Sequence, residues 1–207
     1  MSAEKHPWEK IYKKNGRVFP EPFPRFHEVV DLFIEHSCYE ILDLGCGSGR
    51  HTVHLAMKKF KTFSLDISPT GLDLTREWLC EQGLESRIVQ SDFRHHLPFG
   101  EGVFSGVFST QVIHHARIAS VRLAIREILR VLSSGGVAFI TVAARKDDEE
   151  VVEIEPGTVI PLTGSEAGLP HHIFSEEELR MEFREFQVMD ASLRADGKVL
   201  VIIARKP

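Results

Sequence analysis

The chain has few cysteines and no long apolar run. Its three cysteines, Cys38, Cys46 and Cys80, are not spaced as a C-x-x-C pair. This spacing argues against a disulfide framework or a zinc knuckle and favours a reducing compartment. No apolar stretch approaches the roughly 18 residues that a membrane-spanning helix needs. Residues 1–12 are polar and of mixed charge, so we expect no signal peptide. These features predict a cytoplasmic protein without a membrane partner.

An excess of basic residues is also lacking. The 207 residues include 25 Lys and Arg against 30 Asp and Glu, a formal net charge of −5. Proteins that grip nucleic acid or anionic lipid usually carry a basic field, so we expect neither as a partner. The length, with 43% hydrophobic and 27% charged residues, predicts a single globular domain over residues 1–207.

Short apolar strands alternate with amphipathic helices along the chain. Strands are predicted at 39–44, 61–65, 87–90, 104–108 and 137–142. The helix before the fifth strand is expected to end at Gly135-Gly136. Asp196-Gly197 predicts a closing hairpin between 187–193 and 198–204. Alternation predicts an α/β protein, with a mostly parallel sheet between helices.

Two segments depart from this alternation. Residues 1–24 hold Pro20, Pro22 and Pro24, which predict an irregular, extended path. Residues 146–174 hold six acids between Asp147 and Glu155, followed by glycines and prolines. A stretch of this length without regular structure is usually functional or disordered. We expect a lid-like insertion beside the active site, with a solvated flexible loop as the alternative.

A glycine loop follows the first predicted strand. The loop Gly45-Cys46-Gly47-Ser48-Gly49 lets a ligand lie on the main chain, and the helix behind it offers unpaired N–H groups. Asp66 ends the next strand, where a carboxylate can accept hydrogen bonds from ribose hydroxyls. The dinucleotide fingerprint G-x-G-x-x-G is broken by Arg50 at its sixth position, which disfavours a nicotinamide cofactor.

The sequence Ile-Leu-Asp-Leu-Gly-Cys-Gly-Ser-Gly-Arg at 41–50 resembles the first motif of class I S-adenosylmethionine (SAM)-dependent methyltransferases. The resemblance continues through Asp66, 91–93, 111–115 and 128–136, and it covers about residues 38–145. Within the class, the chain is similar to the type 11 group, and its end also resembles the tellurite-resistance type. The resemblance implies a three-layer Rossmann-like fold with a seven-stranded sheet of order 3-2-1-4-5-7-6, whose last strand is antiparallel.

The same resemblance implies SAM as the cofactor and roles for individual residues. The methionine part and sugar would lie on Gly45, Cys46, Gly47 and Gly49. Asp43 would reach the amino group directly or through water, and Gln111 would close the site nearby.

The adenosine part would be held at the ends of the second and third strands. Asp66 would bind the ribose and Asp92 the adenine amino group. Ile67 and Phe93 would pack on the adenine, although core packing explains these two almost as well. In this class an N-terminal segment often covers SAM, so Tyr12 in a cap of residues 1–24 would meet its carboxylate. The alternative is a frayed tail whose aromatic residues dock on the core.

Methyl transfer is an in-line displacement that needs alignment and exclusion of water. His114 and His115 follow the fourth strand, where a catalytic base would be useful, and the alternative for each is local packing. The pairs His95-His96 and His171-His172 lie in other loops, with no acid or thiol at ligand spacing, so we expect no metal. His171 and His172 are candidates for substrate contact.

The acceptor is expected to be a small molecule. The residues after the fourth strand, Ser109 to Val112, lack the Asn/Asp-Pro-Pro-Tyr signature of methyltransferases that act on DNA bases. A metabolite, a thiol, a quinol and a metalloid anion all remain open, and the sequence does not indicate an oligomeric state. Two other functions also stay open: an NAD-dependent oxidoreductase and a non-catalytic SAM-binding module.

Overall fold

The computed structural model describes residues 6–144 and 150–207. The helices in these ranges are α1 Pro7–Asn15, α2 Phe26–Glu35, α3 Arg50–Met57, α4 Pro69–Glu81, α5 Ile118–Val131 and α6 Glu176–Glu182. The strands are β1 Glu40–Leu44, β2 Lys61–Asp66, β3 Arg87–Gln90, β4 Phe104–Thr110, β5 Leu132–Ala143, β6 Val151–Glu155, β7 Thr158–Pro161, β8 His171–His172, β9 Gln187–Leu193 and β10 Val199–Arg205.

Seven strands form the central sheet in the order β3-β2-β1-β4-β5-β10-β9. The first five strands pair in parallel, while β10 is antiparallel to both β5 and β9. The predicted α/β fold with its antiparallel last strand is confirmed. The last two strands carry the numbers 9 and 10 because three further strands, which the sequence analysis missed, precede them.

Packing on both faces of the sheet explains its apolar strands. The side chains of Leu42, Leu44, Val107 and Phe108 are fully buried, as expected for parallel strands covered by helices. Gly106 brings α2 close to the sheet, since a Cβ there would lie 3.2 Å from a ring carbon of Phe33. The core therefore lies on both sides of β1 and β4, and it fixes the positions of the loops that follow them.

The boundary between α5 and β5 differs from the prediction. The helix ends at Val131, because Leu132 is already extended and pairs with Phe104. Gly135 and Gly136 lie inside the strand range, where Gly135 has a φ of +78°. The fully buried Leu132 side chain joins the core as part of the sheet, so tertiary packing overrides the helical periodicity here.

Two segments expected to be irregular contain regular structure. Residues 7–15 form α1, with Pro7 in the first helical turn, a position that proline favours; the three prolines at 20–24 come after this helix. Residues 151–172 form a small antiparallel sheet of order β6-β7-β8. We call residues 150–174 the insertion; the expected lid also takes in 146–149, which lie outside the described residues.

The insertion is anchored beside the ends of two central strands. The backbone N–H of His172 donates to the carbonyl of His114 at 2.8 Å, and that of Phe174 to the carbonyl of Ala143 at 3.0 Å. None of the helices described is both long and apolar enough to cross a bilayer.

Candidate active site

A cavity of about 540 Å³ opens at the carboxyl ends of β1, β2 and β4. Open α/β sheets bind ligands at this edge, beside the point between β1 and β4 where the strand order reverses. Most of the residues predicted for the site line this cavity: Tyr12, Gly45, Cys46, Gly47, Asp66, Ile67, Asp92, Phe93, Gln111, His114 and His115. Asp43 and Gly49 do not line it.

Two features require glycine in the glycine loop: its backbone conformation and the side chains that pack directly against it. Gly45 and Gly47 have φ values of +79° and +56°, which glycine adopts without strain. A Cβ on Gly45 would overlap the side chain of Val112, and one on Gly47 would overlap the hydroxyl of Tyr12. Any larger residue at either position would displace a wall of the cavity.

Asp66 ties the glycine loop to the start of α4. One carboxylate oxygen accepts a hydrogen bond from the Gly47 N–H and the other from the Ser68 N–H, each at 2.8 Å. Burial raises the pKa of Asp66, and these backbone donors oppose the rise. The carboxylate is thus fixed in orientation at the point where the cavity meets β2.

Asp43 lies beneath the glycine loop. Its side chain is 1% exposed and accepts a hydrogen bond from the Thr52 hydroxyl at 2.6 Å. Burial raises the pKa of this carboxyl to about 7, although the Thr52 hydrogen bond acts in the opposite direction. Asp43 connects β1 to α3, and its predicted contact with a cofactor amino group stays a prediction.

Helix α1 closes one side of the cavity. Tyr12 is buried, and its pKa lies well above the ordinary value because of burial and the nearby Asp66. Trp8 packs between Tyr12 and His115, with ring centroids 5.7 and 6.2 Å away. The aromatic side chains of α1 therefore reach from the glycine loop to the residues after β4.

Glu9 fastens α1 to the first turn of α4. Its fully buried carboxylate accepts hydrogen bonds from the Ser68 hydroxyl, from the Thr70 hydroxyl at 2.8 Å and from the Thr70 N–H at 3.2 Å. Lys13 lies 3.0 Å away. Burial opposes ionisation of Glu9, but these hydrogen bonds outweigh it and lower the pKa.

The wall formed after β3 carries a tight ion pair. Arg94 contacts both oxygens of Asp92, the shortest distance being 2.6 Å. Burial opposes ionisation of Asp92, yet the hydrogen bonds from Arg94 lower its pKa. Near this pair lies His6, whose buried Nδ1 has no hydrogen-bond partner among the described residues.

Histidines from two segments meet at the end of the cavity beyond β4. Ligand atoms of His114, His115 and His171 lie within 4.8 Å of one another, and all three side chains are buried. Glu166 approaches His171 Nε2 at 3.0 Å and His115 Nε2 at 3.5 Å. These histidines belong to different loops, as the sequence indicates, but the fold brings the two loops together and places the Glu166 carboxylate beside them.

The other histidine of the second pair points away from the cavity. His172 is hydrogen-bonded to Thr158 at 2.8 Å and to Glu178 at 3.0 Å. It joins the insertion to α6, so of this pair only His171 reaches the cavity.

The sequence analysis missed several residues that line the cavity. Arg50 is one of them, and its place directly after the glycine loop was the available signal. His6 gave no signal, since α1 was not expected. Trp8 lies in the predicted N-terminal cap, where only Tyr12 was assigned a contact, and Glu166 lies in a segment without recognisable periodicity. His51 also lines the cavity; it accepts a hydrogen bond from the Phe23 N–H at 3.0 Å.

Comparisons with known proteins agree with this architecture. Residues 42–140 match the family model described as a methyltransferase domain. YodH, an uncharacterized methyltransferase of Bacillus subtilis (strain 168), is 32% identical over 106 residues, which are 51% of this chain and 44% of that protein. The malonyl-[acyl-carrier protein] O-methyltransferase of Legionella pneumophila is 31% identical over 134 residues, 63% of this chain and 45% of that one.

The chain spans about half the length of these curated relatives. A solved structure covers more of it: the 1,6-didemethyltoxoflavin-N1-methyltransferase of Burkholderia thailandensis, with bound 1,6-didemethyltoxoflavin and S-adenosylhomocysteine. It superposes with a TM-score of 0.70 at 20% identity, covering 95% of this chain and 84% of that one. The fold is thus shared over almost the whole chain, and residues 42–140 carry the match to the methyltransferase-domain family model.

Proposed function

We propose that the protein transfers the methyl group of SAM to a small molecule bound at the histidine end of the cavity. The observation that carries this proposal is the continuity of the cavity. It runs from Asp66 and Asp92, across the glycine loop, to His114 and His115. A cofactor and an acceptor fit end to end in such a space, as in-line displacement requires.

The polar groups of the cavity match the adenosine and methionine parts of SAM, when the adenosine lies at Asp66 and Asp92 and the methyl group points toward His114 and His115. Asp66, which lines the cavity at the end of β2, would accept hydrogen bonds from the ribose. The adenine fits beside Ile67 and Phe93, where the Nδ1 of His6 offers a hydrogen bond. Both oxygens of Asp92 already accept hydrogen bonds from Arg94. An adenine amino group that binds there would therefore share the Asp92 carboxylate with Arg94.

The methionine part fits over Gly45 and Gly47. Arg50 and Tyr12 border this region, and a guanidinium with a phenol hydroxyl is a suitable partner for a carboxylate. Gln111 closes the far side, held by the Thr141 hydroxyl, which accepts from its backbone N–H at 3.0 Å and from its side-chain amide at 3.1 Å.

The acceptor would occupy the space between Gln111, Trp8 and His115. The half-buried ring of Trp8 favours a flat or apolar acceptor, and the neighbouring imidazoles of His114 and His115 are the candidate bases. The insertion brings Glu166 and His171 to this end of the cavity. A lid role for the insertion, excluding water from the reacting atoms, follows from this position.

Calorimetric titration tests the proposal. We expect micromolar binding of SAM and S-adenosylhomocysteine and no binding of NAD. Asp66→Ala should weaken SAM binding at least tenfold, whereas Asp73→Ala, which changes an exposed carboxylate on α4, should not. Because Asp66 also orders the glycine loop, the Asp66→Asn variant and a thermal melt of each protein separate lost contacts from lost folding.

A second measurement addresses turnover. Incubation with SAM and a panel of thiols, phenols and nitrogen heterocycles should form S-adenosylhomocysteine with at least one acceptor class. Binding of NAD in place of SAM would contradict the proposal. Tight SAM binding without product from any acceptor would favour a non-catalytic SAM-binding module.

A further inference from the structure

We propose that His114, His115 and His171 bind a divalent transition-metal ion of the Zn²⁺ type at the acceptor end of the cavity. Three imidazoles with an open fourth position are a ligand set found in catalytic zinc sites. Among the described residues, no other group of three His, Cys, Asp or Glu side chains converges in this way. Imidazole ligands favour zinc and its neighbours over magnesium or calcium.

The fold holds the three rings on two segments that are hydrogen-bonded to each other. The turn after β4 carries His114 and His115, and its backbone is closed by a hydrogen bond from the His115 N–H to the Val112 carbonyl at 2.9 Å. The insertion carries His171, and the next residue donates its N–H to the His114 carbonyl at 2.8 Å. The cluster is therefore built into the backbone and does not depend on flexible side chains alone.

Two oxygen atoms hold the His171 ring in place. Its Nδ1 lies 2.8 Å from the Leu169 carbonyl, and its Nε2 lies 3.0 Å from a carboxylate oxygen of Glu166. These two contacts fix the orientation of the ring toward His114 and His115. A ring that donates Nδ1–H to a carbonyl and presents Nε2 inward is the usual arrangement of a metal-binding histidine.

The spacing of the three ligand atoms can be compared with that around a zinc ion. Zinc–nitrogen bonds of about 2.0–2.1 Å place tetrahedral ligand nitrogens about 3.3 Å apart, so the rings must close from their present limit of 4.8 Å. Glu166, with a side chain about a quarter exposed, is close enough to serve as a fourth ligand or as a counter-charge.

The chemistry of such a site depends on the proposed methyl transfer. A thiol, phenol or enol bound to the ion loses its proton to water more readily. The electron pair on that sulfur or oxygen forms the bond to the methyl carbon, and the pair from the broken carbon–sulfur bond stays on the cofactor sulfur. With the ion present, His114 and His115 act as ligands, so neither serves as the catalytic base.

Metal binding can be tested without an acceptor. Tag-free protein, treated with chelator and dialysed, is titrated with Co²⁺ and followed by visible absorption, and Zn²⁺ stoichiometry is measured by elemental analysis. We expect one ion per chain with visible d–d bands. The His114→Ala and His171→Ala variants should each weaken Co²⁺ binding at least a hundredfold, and Glu166→Gln by less.

His172→Gln is the matched control, because this buried histidine adjoins His171 but faces Thr158 and Glu178. It should bind Co²⁺ like the unchanged protein, and circular dichroism identifies any variant that fails to fold. Should the alanine variants unfold, His114→Gln and His171→Gln replace them. A folded protein that binds no Co²⁺ or Zn²⁺, or variants that bind unchanged, would overturn the inference. SAM titration of the same metal-free protein reports separately on the proposed function.

Discussion

The hydroxyl of Tyr12 lies directly over Gly47, so that helix α1 and the glycine loop occupy adjoining surfaces with no room for a Cβ between them. The same tyrosine ring lies 3.1 Å from where a Cβ of Gly71 would stand. One residue of α1 thus restricts side-chain size on the glycine loop and on α4. The helix α1 therefore forms part of the cavity wall.

Gly47→Ala should abolish measurable SAM binding, because the new Cβ would push Tyr12 and α1 outward. The matched control is Gly83→Ala, at a φ of +62° with nothing within 4 Å of the added Cβ. Both variants carry the conformational cost of about 1 kcal/mol for a residue in the left-handed region. Calorimetric SAM titration should therefore separate them, and equal affinities would refute the role assigned to the Tyr12 contact.

Glu9→Ala should loosen α1 from α4. Its removal leaves the Ser68 and Thr70 donors without their buried acceptor, and the free energy of unfolding should fall by about 1–3 kcal/mol. Urea denaturation measures this, and Glu28→Ala, which breaks an exposed pair with Arg25, should leave stability almost unchanged. SAM affinity should also fall in Glu9→Ala. If Glu9→Ala leaves the free energy of unfolding unchanged, α1 is held by its aromatic contacts alone.

The parts of the fold that could be predicted from sequence are those dictated by local periodicity. The buried strand at 137–142 and the helix through Val121 and Ile128 could be predicted, because the apolar pattern that identifies each lies within its own segment. The boundary at Leu132 was misplaced, because burial of that side chain depends on its pairing with Phe104 across the sheet. The sequence contains no local signal for that pairing.

The candidate site divides in the same way. Gly47 and Asp66 could be placed because backbone conformation and strand order determine their positions. The histidine cluster could not, because it requires the insertion to fold back until the His172 N–H meets the His114 carbonyl. Glu166 reaches His115, which lies 51 residues before it in the chain, by the same fold-back. Contacts between residues so far apart in the chain produce no periodic pattern in the sequence.

Arg50→Ala should weaken binding of S-adenosylhomocysteine at least tenfold, since its guanidinium is proposed to bind the cofactor's carboxylate. Methylthioadenosine lacks the amino-acid portion, so its affinity should change much less. Competitive titrations with the two ligands measure the difference, and Arg76→Ala, at an exposed position on α4, serves as the control. An equal loss for both ligands would place Arg50 at the adenosine part or in the folding of the loop.

Asp43→Asn should change how stability depends on pH. Burial raises the pKa of Asp43 to about 7 in the folded protein from its ordinary 3.8, so between these values the folded state binds more protons than the unfolded state. The stability contributed by the protonated carboxyl is complete below pH 3.8 and is lost as the pH rises toward 7.

The asparagine variant does not titrate, and its amide oxygen can still accept the Thr52 hydrogen bond. As the pH rises from 4 to 7, the free energy of unfolding of the variant minus that of the unchanged protein should therefore increase by up to about 1.4 kcal/mol per pH unit. Above pH 7 the difference should level off. Urea denaturation at unit pH steps measures the slope, with Asp31→Asn on the exposed side of α2 as control. A difference that stays constant from pH 4 to 8 would mean that Asp43 is ionised throughout, with its charge balanced by Arg50.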